Sequence, residues 1–161
     1  MNPLVAIDSV RFAGLSGHRA EAQSRSDAAD DEAGDKIRRL HCRILVVDNS
    51  EAFRESFAER LRDVYDAFVI TAPNAEIARQ KLTDMALFDL VLLDVEMPDE
   101  DGIAACQRMR IDGVGGRIVL MSSEAENEER ARAIGEEFFE KSDDAALEAV
   151  LMTCKGERPR D

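Results

Sequence analysis

Short aliphatic runs alternate with amphipathic segments along most of this chain, and this alternation restricts the possible folds more than any other feature. The runs are rich in Val, Ile and Leu, which is typical of strands buried on both faces. They occupy 44–47, 68–70, 88–93, 118–121 and 138–139. Because parallel strands require long crossover connections, the pattern predicts an α/β fold in which helices cover both faces of a parallel sheet.

Residues that favour helix starts precede most of the amphipathic segments. They are, in chain order, Asn49 or Ser50, Pro73-Asn74, Gly102, and Ser142 or Asp143. The segment 124–134 is helical by propensity but carries little apolar surface. These signals predict a helix after each strand.

The chain divides by composition into one domain and two flanking segments. Residues 1–40 contain a stretch rich in Ala, Asp, Ser and Arg, so we expect a largely disordered N-terminal extension. Residues 41–156 form the predicted domain, and 157–161 a short C-terminal tail. Because so few residues follow 155, we expect the domain to stand alone, without an output domain after it.

Charge and cysteine content limit the compartment and the partners. The formal net charge is −13, with most of the excess after residue 40, which argues against direct binding to nucleic acid or to an anionic membrane. Cys42, Cys106 and Cys154 are far apart and odd in number, so we expect reduced thiols in a cytoplasmic protein. His18 and His41 lack metal-ligand neighbours, and no signal peptide or membrane span is evident.

Polar residues follow four of the predicted strands. They are Asp48-Asn49, Asp94, Ser122-Ser123 and Lys141. An isolated aspartate at the end of a strand most often opens a turn or caps the next helix. In a parallel sheet, however, the residues after each strand emerge at one edge, so these side chains are expected to share a crevice.

This set of groups suits the transfer of a phosphoryl group to a carboxylate. Aspartate can act as the nucleophile and become an acyl phosphate. Mg²⁺, which prefers carboxylate, water and phosphate oxygens, offsets the repulsion between the two anions. A lysine can contact a phosphate oxygen, and a serine hydroxyl can turn toward the phosphoryl group after transfer.

Four motifs resemble those of the receiver domain of bacterial two-component response regulators. They are Ile-Leu-Val-Val-Asp-Asn at 44–49, Leu-Leu-Asp-Val-Glu-Met-Pro-Asp-Glu-Asp-Gly at 92–102, Val-Leu-Met-Ser-Ser at 119–123 and Phe-Phe-Glu-Lys at 138–141. The resemblance covers about 43–155. It implies a flavodoxin-like, doubly wound, five-stranded parallel sheet in the order 2-1-3-4-5, within a three-layer sandwich.

The resemblance also implies roles for individual residues. Asp94 is the expected phosphoacceptor. The expected Mg²⁺ ligands are Asp48, Asn49, Asp94 and the main-chain carbonyl of Glu96. Ser122 and Lys141 are expected to contact the phosphoryl group, with Ser122 as the switch hydroxyl. Phe138 lies where the family has a rotating aromatic, although a fixed core aromatic remains an alternative.

Two positions depart from the pattern of this family. The family has a second acid where this chain has Asn49, so we expect weaker Mg²⁺ binding. Glu96 could compensate by turning into the pocket, or it could face solvent or pair with Lys141. Ser142 replaces the usual proline, so we expect a trans Lys-Ser peptide bond and a reshaped loop.

Three functions are compatible with these residues. The first is a single-domain response regulator that accepts a phosphoryl group on Asp94 from a histidine kinase or a histidine phosphotransfer protein and signals by binding a downstream protein. The second is a pseudo-receiver that binds proteins without being phosphorylated. The third is a phosphatase with an aspartyl nucleophile, which the absence of a further acidic pair after Asp94 disfavours. The first function is not that of an enzyme beyond self-phosphorylation and self-dephosphorylation.

Overall fold

The structure, a computed structural model, describes residues 42–85 and 88–154. Strands and helices alternate throughout: β1 Arg43–Val47, α1 Glu51–Tyr65, β2 Phe68–Ala72, α2 Ala75–Asp84, β3 Leu90–Asp94, α3 Gly102–Ile111, β4 Arg117–Ser122, α4 Asn127–Ala133, β5 Glu137–Glu140 and α5 Asp144–Met152. The predicted extension 1–40, His18, His41 and the predicted tail 157–161 lie outside the described residues.

The five strands form one parallel sheet in the order β2-β1-β3-β4-β5. Strand β3 lies at the centre, and all five of its residues are buried. Its neighbours pair in register, with Val47 beside Leu93 and Met121 beside Asp94. The predicted fold class and strand order are therefore confirmed.

Alternate residues of each strand point into two separate cores. Ile44 and Val46 of β1 belong to the core between the sheet and helices α1 and α5. Leu45 and Val47 belong to the core between the sheet and helices α2, α3 and α4. This alternation is the period of two along a strand, and it produces three layers.

Side-chain caps fix where four of the helices begin. Ser50, Asn74, Asp101 and Asp143 each accept a hydrogen bond from a main-chain N–H in the first turn of the following helix. The prediction that left Asn49 or Ser50 open is resolved in favour of Ser50, and the cap of α5 is Asp143. Helix α4 begins without such a cap.

Gly102 brings helix α3 against the end of β3. A Cβ atom at this position would overlap the main-chain carbonyl oxygen of Asp94. The Gly102 N–H also donates a hydrogen bond to the carbonyl oxygen of Val95 at 2.8 Å. Glycine is therefore required by the close approach of two backbones directly behind the predicted phosphoacceptor.

The prediction of three separate thiols is wrong for two of the cysteines. Cys42 and Cys154 form a disulfide across a sequence separation of 112 residues, while Cys106 is a buried free thiol. Cys42 immediately precedes β1, and Cys154 lies just beyond the end of α5. Spacing along the chain could not reveal this proximity because it depends on how α5 packs against the sheet.

No helix in the described part of the chain is long and apolar enough to cross a membrane.

Candidate functional site

The carboxyl ends of β1, β3 and β5 bring three ionisable side chains together. Asp48 follows β1, Asp94 ends β3 and Lys141 follows β5. The Lys141 ammonium lies 2.7 Å from Asp48 Oδ2 and 3.1 Å from Asp94 Oδ1. Both carboxylates are buried, at 0% and 2% exposure respectively. These distances bring together three of the side chains that the sequence predicts to share one crevice.

The surroundings of Asp94 disfavour the ionised form of its carboxyl group. Burial raises its pKa to about 6; the Lys141 ammonium opposes that rise, and the Asp48 carboxylate adds to it. Although Lys141 is within ion-pair distance, Asp94 Oδ1 accepts no aligned hydrogen bond. A buried oxygen left without a hydrogen bond has capacity for a further cationic or hydrogen-bonding partner.

Asp48 is held in place by its own loop and by helix α1. Its Oδ1 accepts a hydrogen bond from the Ser50 N–H at 2.8 Å. The Arg54 guanidinium donates to the main-chain carbonyl oxygen of Asp48 at 2.9 Å. Arg54 was not among the predicted site residues, because its partner is a main-chain atom and leaves no pattern in the sequence.

Ser122, the last residue of β4, is fully hydrogen-bonded. Its hydroxyl donates to Glu96 Oε2 at 3.2 Å and accepts from the Glu124 N–H and from Asn127 Nδ2, both at 2.9 Å. One donor and two acceptor positions complete the capacity of a hydroxyl group. To donate to a new partner, Ser122 must therefore release Glu96.

A chain of hydrogen bonds extends from Ser122 to helix α3. Asn127 Oδ1 accepts from Arg130 at 2.8 Å, and Arg130 also donates to Asp101 Oδ2 at 2.7 Å. Asp101 is the N-cap of α3. The hydroxyl thus connects to two helices on the same face of the sheet, and sequence reasoning identified neither Asn127 nor Arg130.

The other predicted residues occupy less constrained positions. Asn49 is exposed in the loop after β1, and Phe138 is half-buried against the core of the α2–α4 face. We expected Glu96 to turn into the metal pocket, to face solvent or to pair with Lys141. In the structure its side chain accepts a hydrogen bond from the Ser122 hydroxyl. No peptide bond in the described residues is cis, so the Lys141-Ser142 bond is trans, as expected.

The residues at this edge suit a hard divalent cation that takes only a few of its ligands from the protein. Within 42–85 and 88–154, no three His, Cys, Asp or Glu side chains converge to form a complete metal cage. Asp48 and Asp94 do supply two buried carboxylates, one with an oxygen that accepts no hydrogen bond. Mg²⁺ typically uses one or two carboxylates and keeps several waters, so the donor set fits that ion.

The comparisons with known proteins agree with this fold. The family model for the response regulator receiver domain matches residues 44–142. The chain belongs to this family. Receiver domains of this family act with histidine kinases or phosphotransfer proteins and bind Mg²⁺ at the phosphorylation site.

Two relatives differ in how much of their own length this chain covers. ARR22, a two-component response regulator of Arabidopsis thaliana, is 31% identical over 121 residues, which are 74% of this chain and 82% of that protein. A protein-glutamate methylesterase/protein-glutamine glutaminase of a Nocardioides strain is 37% identical over 82 residues. That match is 50% of this chain but 22% of the relative, so this chain spans a minor part of that protein's length.

A solved structure gives the same fold. The response regulator protein TrrA from Thermotoga maritima, in complex with Mg²⁺-BeF, aligns with a TM-score of 0.63 and 28% identity. The alignment covers 70% of this chain and 98% of that chain.

Proposed function

We propose that this chain is a phosphoacceptor receiver: Asp94 accepts a phosphoryl group from a histidine kinase or a histidine phosphotransfer protein, and the chain then signals through a downstream protein. The observation that carries the proposal is the convergence of Lys141 on Asp48 and Asp94, at 2.7 and 3.1 Å. A purely structural turn aspartate would not need a buried second carboxylate and a lysine beside it.

The chemistry is an in-line displacement at phosphorus. An oxygen of the Asp94 carboxylate forms a bond to phosphorus as the phosphorus–nitrogen bond of the phosphohistidine donor breaks. The electron pair of that bond stays on the imidazole nitrogen, which takes up a proton. With its pKa about 6, Asp94 is mainly ionised at about pH 7 and is available as the nucleophile.

The surrounding residues prepare this carboxylate. Lys141 places a positive charge where the negative charge of the phosphoryl oxygens accumulates. Asp48, Asn49, Asp94 and the main-chain carbonyl of Glu96 would hold Mg²⁺, which neutralises charge between the carboxylates and the phosphoryl group. Ser122 would exchange Glu96 for a phosphoryl oxygen and so convert phosphorylation into a change at α4.

The acidic surface is consistent with signalling through protein partners rather than nucleic acid, given a net charge of −13. We place the protein in the cytoplasm because histidine kinases present their phosphohistidine there; the Cys42–Cys154 disulfide departs from the reduced thiols usual in that compartment. The domain itself is a switch, with no catalytic turnover beyond gaining and losing its own phosphoryl group.

The proposal is tested by incubating the chain with acetyl phosphate and Mg²⁺ and measuring the intact mass, beside Asp94→Asn as the control. The expected result is one added phosphoryl group on the wild type alone, which chelation of Mg²⁺ prevents. If neither acetyl phosphate nor a phosphorylated histidine phosphotransfer protein labels the wild type, the chain is a pseudo-receiver, a reading that Asn49 favours. Continuous hydrolysis of phosphate esters would instead indicate a phosphatase.

A further inference from the structure

Lys141 also has an aromatic neighbour, the ring of Phe53. Its ammonium nitrogen lies 4.4 Å from the centroid of the Phe53 ring. At this distance the cation is attracted to the negative face of the ring. The lysine side chain is 14% exposed, so the contact lies largely out of solvent, where such attraction is stronger than at an open surface.

Two contacts fix the position of Phe53, one through its main chain and one through its ring. Its main-chain N–H donates a hydrogen bond to the hydroxyl of the N-cap residue Ser50 at 3.3 Å, which fixes the residue in the first turn of α1. Its ring stacks on Phe57, with centroids 5.1 Å apart and an interplanar angle of 25°. Phe57 is buried in the core between the sheet and α1. The ring is therefore a supported platform rather than a free surface side chain.

During the proposed reaction the Phe53 ring keeps its charge and its partners, unlike the two carboxylates beside the Lys141 ammonium. Asp94 becomes an acyl phosphate, and Asp48 is a proposed ligand of Mg²⁺, so both carboxylates change their charge or their partners. Phe53 takes part in neither event. A flexible lysine side chain with several rotatable bonds benefits from a contact that persists while its anionic partners change.

We propose that Phe53 is a positioning residue for phosphoryl acceptance: the face of its ring holds the Lys141 ammonium beside Asp94 while the carboxylates exchange partners. This inference rests on the proposed function of Asp94. The group that contacts the phosphoryl oxygen is Lys141, and Phe53 acts through it.

The decisive test replaces Phe53 with mono-, di- and trifluorinated phenylalanine. Fluorination weakens the negative face of the ring while nearly preserving its shape, so a merely structural role would not respond in steps. The expected result is a stepwise fall in the rate of phosphorylation by acetyl phosphate, reaching roughly fivefold across the series. The same series at Phe68, an exposed ring at the start of β2 and away from the carboxyl ends of the strands, is expected to leave the rate unchanged. A flat series at Phe53 would overturn the proposal.

Conventional variants provide a second comparison. Phe53→Leu is expected to slow phosphorylation by a similar factor, and Phe53→Trp, which keeps an aromatic face, to restore most of the rate. Thermal unfolding of each variant reports whether the fold is intact. Equal rates in the leucine and tryptophan variants would contradict the inference.

A measurement without phosphorylation separates this inference from the proposed function. Protons on the Cε carbon of Lys141 that lie over a ring are shifted upfield in the NMR spectrum. We expect such a shift in the wild type and its loss in Phe53→Leu. If the wild type accepts no phosphoryl group, the proposed function fails and Phe53 loses its role in the reaction, while the shift still reports whether the contact forms. Normal phosphorylation without the shift would overturn the Phe53 inference alone.

Discussion

Burial of Asp94 makes the stability of the metal-free fold depend on pH. Its pKa is raised from 3.8 to about 6 by burial, against the opposing effect of Lys141. A raised folded-state pKa means that the folded state holds the proton more tightly than the unfolded state. The stability contributed by this proton is fully present below the unfolded pKa of about 4 and is lost as the pH rises through about 6.

Asp94→Asn removes this titration and should therefore stabilise the metal-free protein more at neutral than at acidic pH. Between about pH 4 and about pH 7, the gain in free energy of unfolding over the wild type should grow by about 2–3 kcal/mol. Urea unfolding of both proteins in chelator measures it. Asp63→Asn, at an exposed position on α1, is the control. A gain that does not change with pH would contradict the assigned effect of burial.

Asn49 is the residue at which the proposed metal site lacks a charge. Asn49→Asp adds one carboxylate next to Asp48, and the added attraction between opposite charges a few ångströms apart should tighten Mg²⁺ binding about tenfold. Titration calorimetry measures the dissociation constant. Gln107→Glu adds the same charge on the exposed surface of α3 and should leave the affinity nearly unchanged. Equal affinities of Asn49→Asp and the wild type would refute the account of this position.

At the scale of elements, the side chain of Asn127 attaches helix α4 to Ser122. The helix has seven residues and no side-chain cap. Asn127 is buried, and its amide donates to Ser122 while its oxygen accepts from Arg130. Because Ser122 lies at the proposed phosphorylation edge, Asn127 is the direct connection between that edge and α4.

Asn127→Ala should loosen α4 without disturbing the sheet. The loss of buried hydrogen bonds is expected to cost about 1–2 kcal/mol and to increase amide hydrogen exchange in 124–134. Exchange in β3 and β1 is the internal reference. Glu129→Ala, at an exposed position on the same helix, is the matched control. Unchanged protection of α4 would show that the Asn127 contacts do not hold the helix.

The elements themselves could largely be predicted from the sequence. Aliphatic runs identify strands by their length and composition, and Ser50, Asn74 and Asp143 mark helix starts through local hydrogen bonds. Helix α4 was the least defined because its surface is mostly polar, and its anchor comes from Ser122 on a neighbouring strand. Local patterns do not contain such an anchor.

The site shows the same division between local and long-range information. Asp48, Asp94, Ser122 and Lys141 could be placed at one edge because strand ends in a parallel sheet share that edge. The contact between Phe53 and Lys141 could not be predicted, because Phe53 fits the apolar stripe of α1 equally well. The orientation of Glu96 toward Ser122 also depends on side-chain packing.

At the scale of the whole molecule, the disulfide joins the two ends of the described domain. Cys42 precedes β1 and Cys154 follows α5, at a sequence separation of 112. A cross-link over so long a loop restricts the unfolded chain strongly. Cys106 is a separate case, because burial raises the pKa of its thiol to about 12 and leaves little reactive thiolate.

Reduction should therefore destabilise the wild type. Adding a reductant is expected to lower the free energy of unfolding by about 2–4 kcal/mol. Cys42→Ser should have the lower free energy of unfolding with or without reductant. The free energy of unfolding of Cys106→Ala should still fall when reductant is added. Urea unfolding measures all three proteins. A wild type whose stability is insensitive to reductant would contradict a role for this cross-link in stability.

The central claim is that Asp94 carries the phosphoryl group, and chemical trapping tests it directly. Borohydride reduces an aspartyl phosphate to homoserine, which tandem mass spectrometry locates in the sequence. After incubation with a phosphorylated histidine phosphotransfer protein and Mg²⁺, we predict conversion at position 94 in the wild type and none in Asp94→Asn. Conversion at another acid, or a stable phosphoryl group on Ser122 with Asp94 unchanged, would contradict the account.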